Sequence, residues 1–291
     1  MSTTEKIIFI MLTLLVIRIL MILGSVLNTA IVELFKNESN GDHFKRYINN
    51  ISPAVYFHKT RIANKSKQEF ESTYLSLLGN IPDHKRAYMR FYAERINKAF
   101  VTVNLQNIAA TPTKYIMSKG ELEMRMPYTL DDKIVFNEKS IEKVTETVDE
   151  RMLETFIHEK LHTIQRLHQE KFNEFYRKRY SFLHNIIPLE DLPDNLRNRH
   201  MTNPDNNFDL WLYTINNKIY IPLLEITDGG LREYAYEYYD INNKILLKDI
   251  LNYSKTSQTH PNELFAYEIA AQLIKGKLET DVYKFLKELT F

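Results

Sequence analysis

The sequence contains no cysteine. That excludes disulfides, thiolate metal sites and a cysteine nucleophile, and leaves histidine and carboxylate as the only means of holding a metal. Glycine is scarce, at 7 of 291 residues, and neither a Walker-type loop nor a dinucleotide fingerprint occurs. Nucleotide enzymes of the usual kinds are thereby disfavoured. Neither charge sign is in excess, since 38 Lys and Arg face 37 Asp and Glu with the signs interspersed. With no basic block, nucleic acid is not an expected partner. Aromatic residues are plentiful instead, 18 Tyr and 16 Phe in a chain that is 44% hydrophobic, enough to bury one large core or two small ones.

The one long apolar run stands at the start. Residues 7–27, IIFIMLTLLVIRILMILGSVL, carry a single charge, Arg18, in 21 positions, enough for a helix across roughly 30 Å of hydrocarbon. The run reads as an uncleaved signal anchor, a single-pass membrane attachment. A cleaved signal peptide and a secreted body is the alternative, although VLNTA makes a poor cleavage site. Arg18 in mid-span is costly unless it snorkels or pairs. Sequons at Asn37, Asn50, Asn64 and Asn252 would accept glycans in an extracytoplasmic body. No repeat, low-complexity tract or linker divides the remainder, so residues 1–30 are expected as anchor and 31–291 as one domain.

Helical spacing predicts a polar helix or stalk over residues 30–47 and helices over 66–79 and 83–99, the latter with Tyr88, Phe91, Tyr92 and Ile96 on one side. Between residues 113 and 136 the period shortens, and KYIMS, ELEMRM and KIVFN read as strands of a small sheet. Asp149 is a good N-cap for a helix that runs, without Gly or Pro, past Phe172. LWLYTINNKIYIPLLEI reads as a hairpin turning at Asn216-Asn217, and LREYAYEYYDINNKILLKDI as another around Asn242-Asn243. Helices are expected over residues 262–277 and 280–289.

The helix after Asp149 contains FIHEKLHTIQRLH, residues 156–168. His158 and His162 are four apart and share a helix face, so both can reach one ion. Glu159 stands beside the first of them, and H-E-x-x-H is the pattern in which a metal acidifies its water and the glutamate takes the proton. Leu153, Ile157, Leu161 and Ile164 form an apolar stripe that would seat this helix in a core. Lys160 is out of keeping, because uncharged residues are usual at that position of the pattern.

A third ligand is required, and two answers compete. His168 has the spacing of the last histidine in H-E-x-x-H-x-x-G-x-x-H, the metzincin pattern, but Gln165 stands where the chain-reversing glycine belongs. In a continuous helix His168 would lie about 9 Å along the axis from His162 and roughly 120° around it. Downstream, NELFAYE resembles the N-E-x-F-A segment of the aminopeptidase branch of the gluzincins, in which a helix beside the H-E-x-x-H helix donates a glutamate. Between the two acids there, Glu263 falls on the apolar side of the helix with Ala266, Ala270, Leu273 and Ile274, and Glu268 on the polar side with Gln272. A carboxylate aimed into a packed face needs a partner, and a metal is one, which favours Glu263. A capping acid at a helix entry is the other reading of Glu263. It follows His162 by roughly a hundred residues, farther than in typical gluzincins, so an insertion bearing the two hairpins is expected between them.

The resemblance implies an α+β, zincin-like fold, mainly helical with a small mixed sheet, behind an N-terminal transmembrane helix. It implies a membrane-anchored zinc peptidase acting on a peptide or protein substrate, with one zinc held by His158, His162 and Glu263 and Glu159 as general base. It further implies a sheet-edge strand, KIVFN or ELEMRM, that holds the substrate backbone, and an oxyanion donor among Tyr267, His260, Arg199 and His200. The alternatives are a metzincin-type site using His168, and a non-catalytic, membrane-tethered interaction protein on the same scaffold.

Overall fold

The computed structural model describes residues 42–290 apart from 182, 189–190, 201–202, 207–209, 216, 228–229, 244 and 249–259. The span expected at residues 7–27 and the sequons at Asn37 and Asn252 lie outside the described residues. Among the described residues no helix is long and apolar enough to cross a membrane. The longest, Asp83–Thr102, is interrupted by Lys85, Arg86, Arg90, Glu94, Arg95 and Lys98. The expectation of a single-pass membrane protein is corrected accordingly.

Helices α1 (Asp42–Asn50), α2 (Tyr56–Thr60) and α3 (Lys67–Ser76) lead to strand β1 (Leu78–Gly79) and the long α4 (Asp83–Thr102). A single turn, α5 (Gln106–Ala109), precedes β2 (Lys114–Ser118), β3 (Tyr128–Leu130), β4 (Lys133–Asn137) and α6 (Glu138–Lys143). Then come α7 (Glu150–Leu167), α8 (Gln169–Arg179), β5 (Leu183–Ile187), α9 (Asp194–Arg197) and β6 (Leu210–Ile215). The chain continues through β7 (Lys218–Thr227), β8 (Gly230–Asp240) and β9 (Ile245–Lys248) to α10 (Pro261–Ile274) and α11 (Thr280–Lys287). Helix and sheet are both substantial, an α+β arrangement.

The first sheet has the order β1-β2-β4-β3, with β2 and β4 parallel and the other pairs antiparallel. Its strands read as near-continuous apolar runs because both faces are covered. Tyr115, Ile134 and Phe136 face a core shared with α4, α7 and α10. Ile116, Tyr128 and Val135, one position out of phase, face Phe44, Tyr47, Phe70 and Tyr74 of the N-terminal helices. The two expected hairpins exist as β6–β7 and β8–β9. They fuse with β5 into one antiparallel sheet, β5-β6-β7-β8-β9, so the small sheet is accompanied by a larger one.

Two expected elements differ. ELEMRM is not a strand: residues Leu122–Arg125 form a 3-10 turn in which Glu123, Met124 and Arg125 all take left-handed φ angles of 48°, 56° and 63°. Burial does not follow the alternation in that stretch: Glu123 turns inward to the ammonium of Lys59 and the hydroxyls of Tyr47 and Tyr74, while Met126 is exposed. The helix after Asp149 is also not continuous. It breaks at His168 (φ −128°, ψ 35°), and α8 leaves at an angle that packs Phe172, Phe175 and Tyr176 on Phe265 of α10. Packing of three aromatic side chains outweighs the local preference to continue the helix.

At its start α7 behaves as read. Asp149 accepts hydrogen bonds from the Arg151 and Met152 amides at 2.9 and 3.3 Å. Replacing it with alanine is expected to lower stability by ~1 kcal/mol in urea denaturation, the ordinary worth of an N-cap; an unchanged midpoint would mean the cap is redundant.

Candidate metal centre

Every residue of α7 from Phe156 to Gln165 is buried. A helix enclosed on all sides must find a partner for each polar side chain it carries. Lys160 donates to Asn97 Oδ1 at 2.8 Å and the Thr111 carbonyl at 3.0 Å, and burial pulls its ammonium down to about 7. The residue out of keeping with the motif therefore points away from it, toward α4. Thr163 donates to the Lys160 carbonyl. The unusual polar residues are those of the motif itself.

His158 Nε2 and His162 Nε2 lie 2.9 Å apart. Oε2 of Glu263, from α10, lies 3.3 Å from the first and 3.5 Å from the second. Ligand atoms placed tetrahedrally at about 2.0–2.1 Å from an ion are separated by about 3.3–3.4 Å, so the three donors stand near the spacing that a zinc ion requires. Glu263 Oε1 is held from behind by Asn203 Nδ2 at 2.9 Å.

The tautomer of His162 is fixed by its neighbour. Gln165 Nε2 donates to the Asn262 carbonyl and to Tyr176 Oη, both at 2.9 Å. A carbonyl only accepts, so the amide orientation is settled, and Gln165 Oε1 faces His162 Nδ1 at 2.7 Å. Nδ1 thus carries the proton and Nε2 presents its lone pair to the cluster, the usual outer-shell arrangement of a histidine ligand.

Acidic groups crowd the site. Glu159, Asp205 and Glu263 bring three carboxyl groups into one buried site. The nearby Arg166 directs its terminal nitrogens to the carbonyls of Asp131 and Pro204 and the hydroxyl of Thr129, not to these acids. Burial and the Asp205 charge push Glu159 well above the carboxylate range. Burial opposes ionisation of Glu263, but the facing imidazoles override it and hold the acid well below its usual range. Burial would likewise lower both histidines. His158 does fall, with His162 adding to the effect, whereas the Glu263 and Asp205 carboxylates lift His162 to about 10.

Glu159 is 3% exposed, and its Oε2 has no hydrogen-bond partner among the described residues. It borders a cavity of about 610 Å³ that also reaches His158, Glu263, Tyr267, Trp211 and Met152. The remaining expected residues fall as follows. Glu268 turns away to Arg179 at 2.5 Å and Tyr180 Oη at 3.1 Å. His168 sits at the helix break and is not among the converging groups. Tyr267 packs its ring 4.1 Å from that of His158 and lines the cavity, as do His200 and His260. His260 accepts the Asn262 amide as N-cap of α10, and burial pulls His200 down to about 4. Arg199 is buried and is not among the residues that line the cavity.

Sequence reasoning missed Gln165, Asn203 and Asp205. Gln165 was accessible, since a polar residue three after a candidate ligand shares its helix face. Asn203-Pro204-Asp205 reads only as a turn, and nothing in it signals that two of its side chains are drawn into a buried site. Compared with known proteins, the chain matches no family model, no curated protein and no solved structure.

Proposed function

We propose that the chain is a zincin-like zinc peptidase, with zinc held by His158, His162 and Glu263 in the gluzincin manner. The supporting observation is the convergence of the three donor atoms, one with its lone pair fixed by Gln165. Two adjacent helices supply them, α7 the histidines and α10 the glutamate, as the resemblance to H-E-x-x-H and N-E-x-F-A implies. Zinc bound there would supply Lewis acidity, to polarise a peptide carbonyl and to acidify a water. Glu159 would take up a proton and return it to the departing amine. Tyr267, whose ring packs against His158 at the cavity edge, would be the donor to the oxygen of the attacked carbonyl.

Elemental analysis of the full chain tests the site. One zinc per chain is expected in wild type, lost in His162→Ala and Glu263→Ala and retained in Glu268→Ala and His168→Ala. Loss in His168→Ala with retention in Glu263→Ala would establish the metzincin-type arrangement instead, and no zinc in wild type would end the enzyme proposal.

A further inference from the structure

The strand bordering the site is closed to strand addition. β3 is the outer strand of its sheet, and Tyr128 and Leu130 pair with Val135 and Lys133 of β4. Thr129, opposite Ile134 between those two pairs, turns its backbone groups away from β4, toward the cleft, with Pro127 and Asp131 flanking the strand. Pro127 has no N–H to offer. Thr129 gives its N–H to Asp205 Oδ1 at 2.5 Å and its hydroxyl to the same oxygen at 2.8 Å. The Asp131 carbonyl accepts from Arg166 Nη1. What remains along the outer edge is a pair of carbonyls without a donor between them, whereas an added strand needs both in alternation.

The group that caps Thr129 is itself pinned. Asp205 is 5% exposed. Arg166 Nη2 holds the preceding Pro204 carbonyl at 3.0 Å, Asn262 Nδ2 holds the Asp205 carbonyl at 3.3 Å, and Asn203 is bonded to Glu263. Residues 203–206 are thus fastened to both helices of the centre, and displacing them to make room for a peptide would dismantle the ligand set. The expectation that KIVFN or ELEMRM holds a substrate backbone fails for separate reasons: KIVFN is β4, an inner strand, and ELEMRM is a turn.

Binding must then come from the cavity walls. Trp211 and Tyr213 of β6, Pro222 of β7, Met152 of α7 and Tyr267 of α10 are apolar or aromatic, and the volume falls within the roughly 300–1,000 Å³ of ligand pockets. Acidic and basic side chains both stand on the same walls, Glu154 and Asp205 with Arg125 and Arg151, so the apolar surface is what selects. We infer that the substrate is a short peptide bearing an aromatic or bulky apolar side chain, gripped by that side chain in the cavity rather than by its backbone along the sheet edge. This rests on the peptidase reading and narrows it.

The chain has one tryptophan, and Trp211 lines the cavity, so its fluorescence reports occupancy. The full-length Glu159→Gln chain, supplied with zinc, is titrated with a capped hexapeptide centred on phenylalanine, with each singly N-methylated form, and with the Phe→Ala form. Each N-methylation is expected to change Kd by less than about 3-fold, under the worth of one lost hydrogen bond, and Phe→Ala to weaken binding ~10-fold or more. Losses of ~10-fold at alternate N-methylated positions, indifference to Phe→Ala, or no response to any peptide would overturn the inference. Zinc content and wild-type turnover of the hexapeptide are read separately. A chain that binds peptide as expected but neither holds zinc nor cleaves it would overturn the peptidase reading alone.

Discussion

Glu159→Gln is expected to lower hydrolysis of a phenylalanine-containing peptide by on the order of 10²–10⁴-fold, the range for removing a general base, with one zinc per chain retained. The carboxylate is not one of the proposed ligands His158, His162 and Glu263, although it also converges with His162 and Asp205, so on the proposed reading its loss removes proton transfer without removing a ligand. Gln is close in size and fills the same buried position, and the chain should fold normally by circular dichroism. Glu263→Gln is the informative contrast, because it keeps the shape and weakens a ligand; activity and metal should fall together and recover in part at high zinc. Wild-type turnover by Glu159→Gln at full zinc loading would refute the proposed chemistry, whatever the metal analysis gave.

How much of this was readable beforehand follows from the range of the interactions concerned. His158, Glu159 and His162 are set by helical spacing alone, and Glu263 was separated from Glu268 by the same periodicity on a second helix. Both are local properties of α-helices. The N-cap at Asp149 and the strands KYIMS and KIVFN were local too. What was not readable depends on contacts between distant segments. Asp205 meets Thr129 and Glu159 only because the sheet and α7 bring them together, and Arg166 reaches β3 by the same route. The break at His168 has no Gly or Pro to announce it; it is imposed by Phe265, nearly a hundred residues on. Lys160 misled because its sign was read without its direction: the ammonium reaches Asn97 on α4, a contact no motif records. The ELEMRM stretch misled in the same manner, since the polar Glu123 is the residue that turns inward and the apolar Met126 is exposed.

That glutamate carries the largest expected effect on stability. Lys59 and Glu123 are 2% and 4% exposed and meet at 2.5 Å, while the other carboxylate oxygen accepts from the Tyr47 and Tyr74 hydroxyls. Four side chains from α1, α2, α3 and the left-handed turn thus satisfy one another in a core that otherwise consists of aromatic and aliphatic side chains. Glu123→Ala removes the carboxylate paired with Lys59 and leaves that ammonium buried without its partner, at a cost of ~3–5 kcal/mol. The three successive left-handed residues would also lose what holds them, since such conformations persist only when their surroundings enforce them. The turn leads to Met126 and Pro127 at the cavity rim, so the variant should bind the hexapeptide more weakly as well as unfold at lower urea. Because the harm comes from the orphaned cation, adding Lys59→Met to Glu123→Gln should restore more than half of the stability that Glu123→Ala loses. If Glu123→Ala shifts unfolding by less than ~1 kcal/mol, the network is incidental to stability. If the double variant is no better than the single, the cost comes from the two tyrosine hydroxyls and the turn, and not from the buried charge.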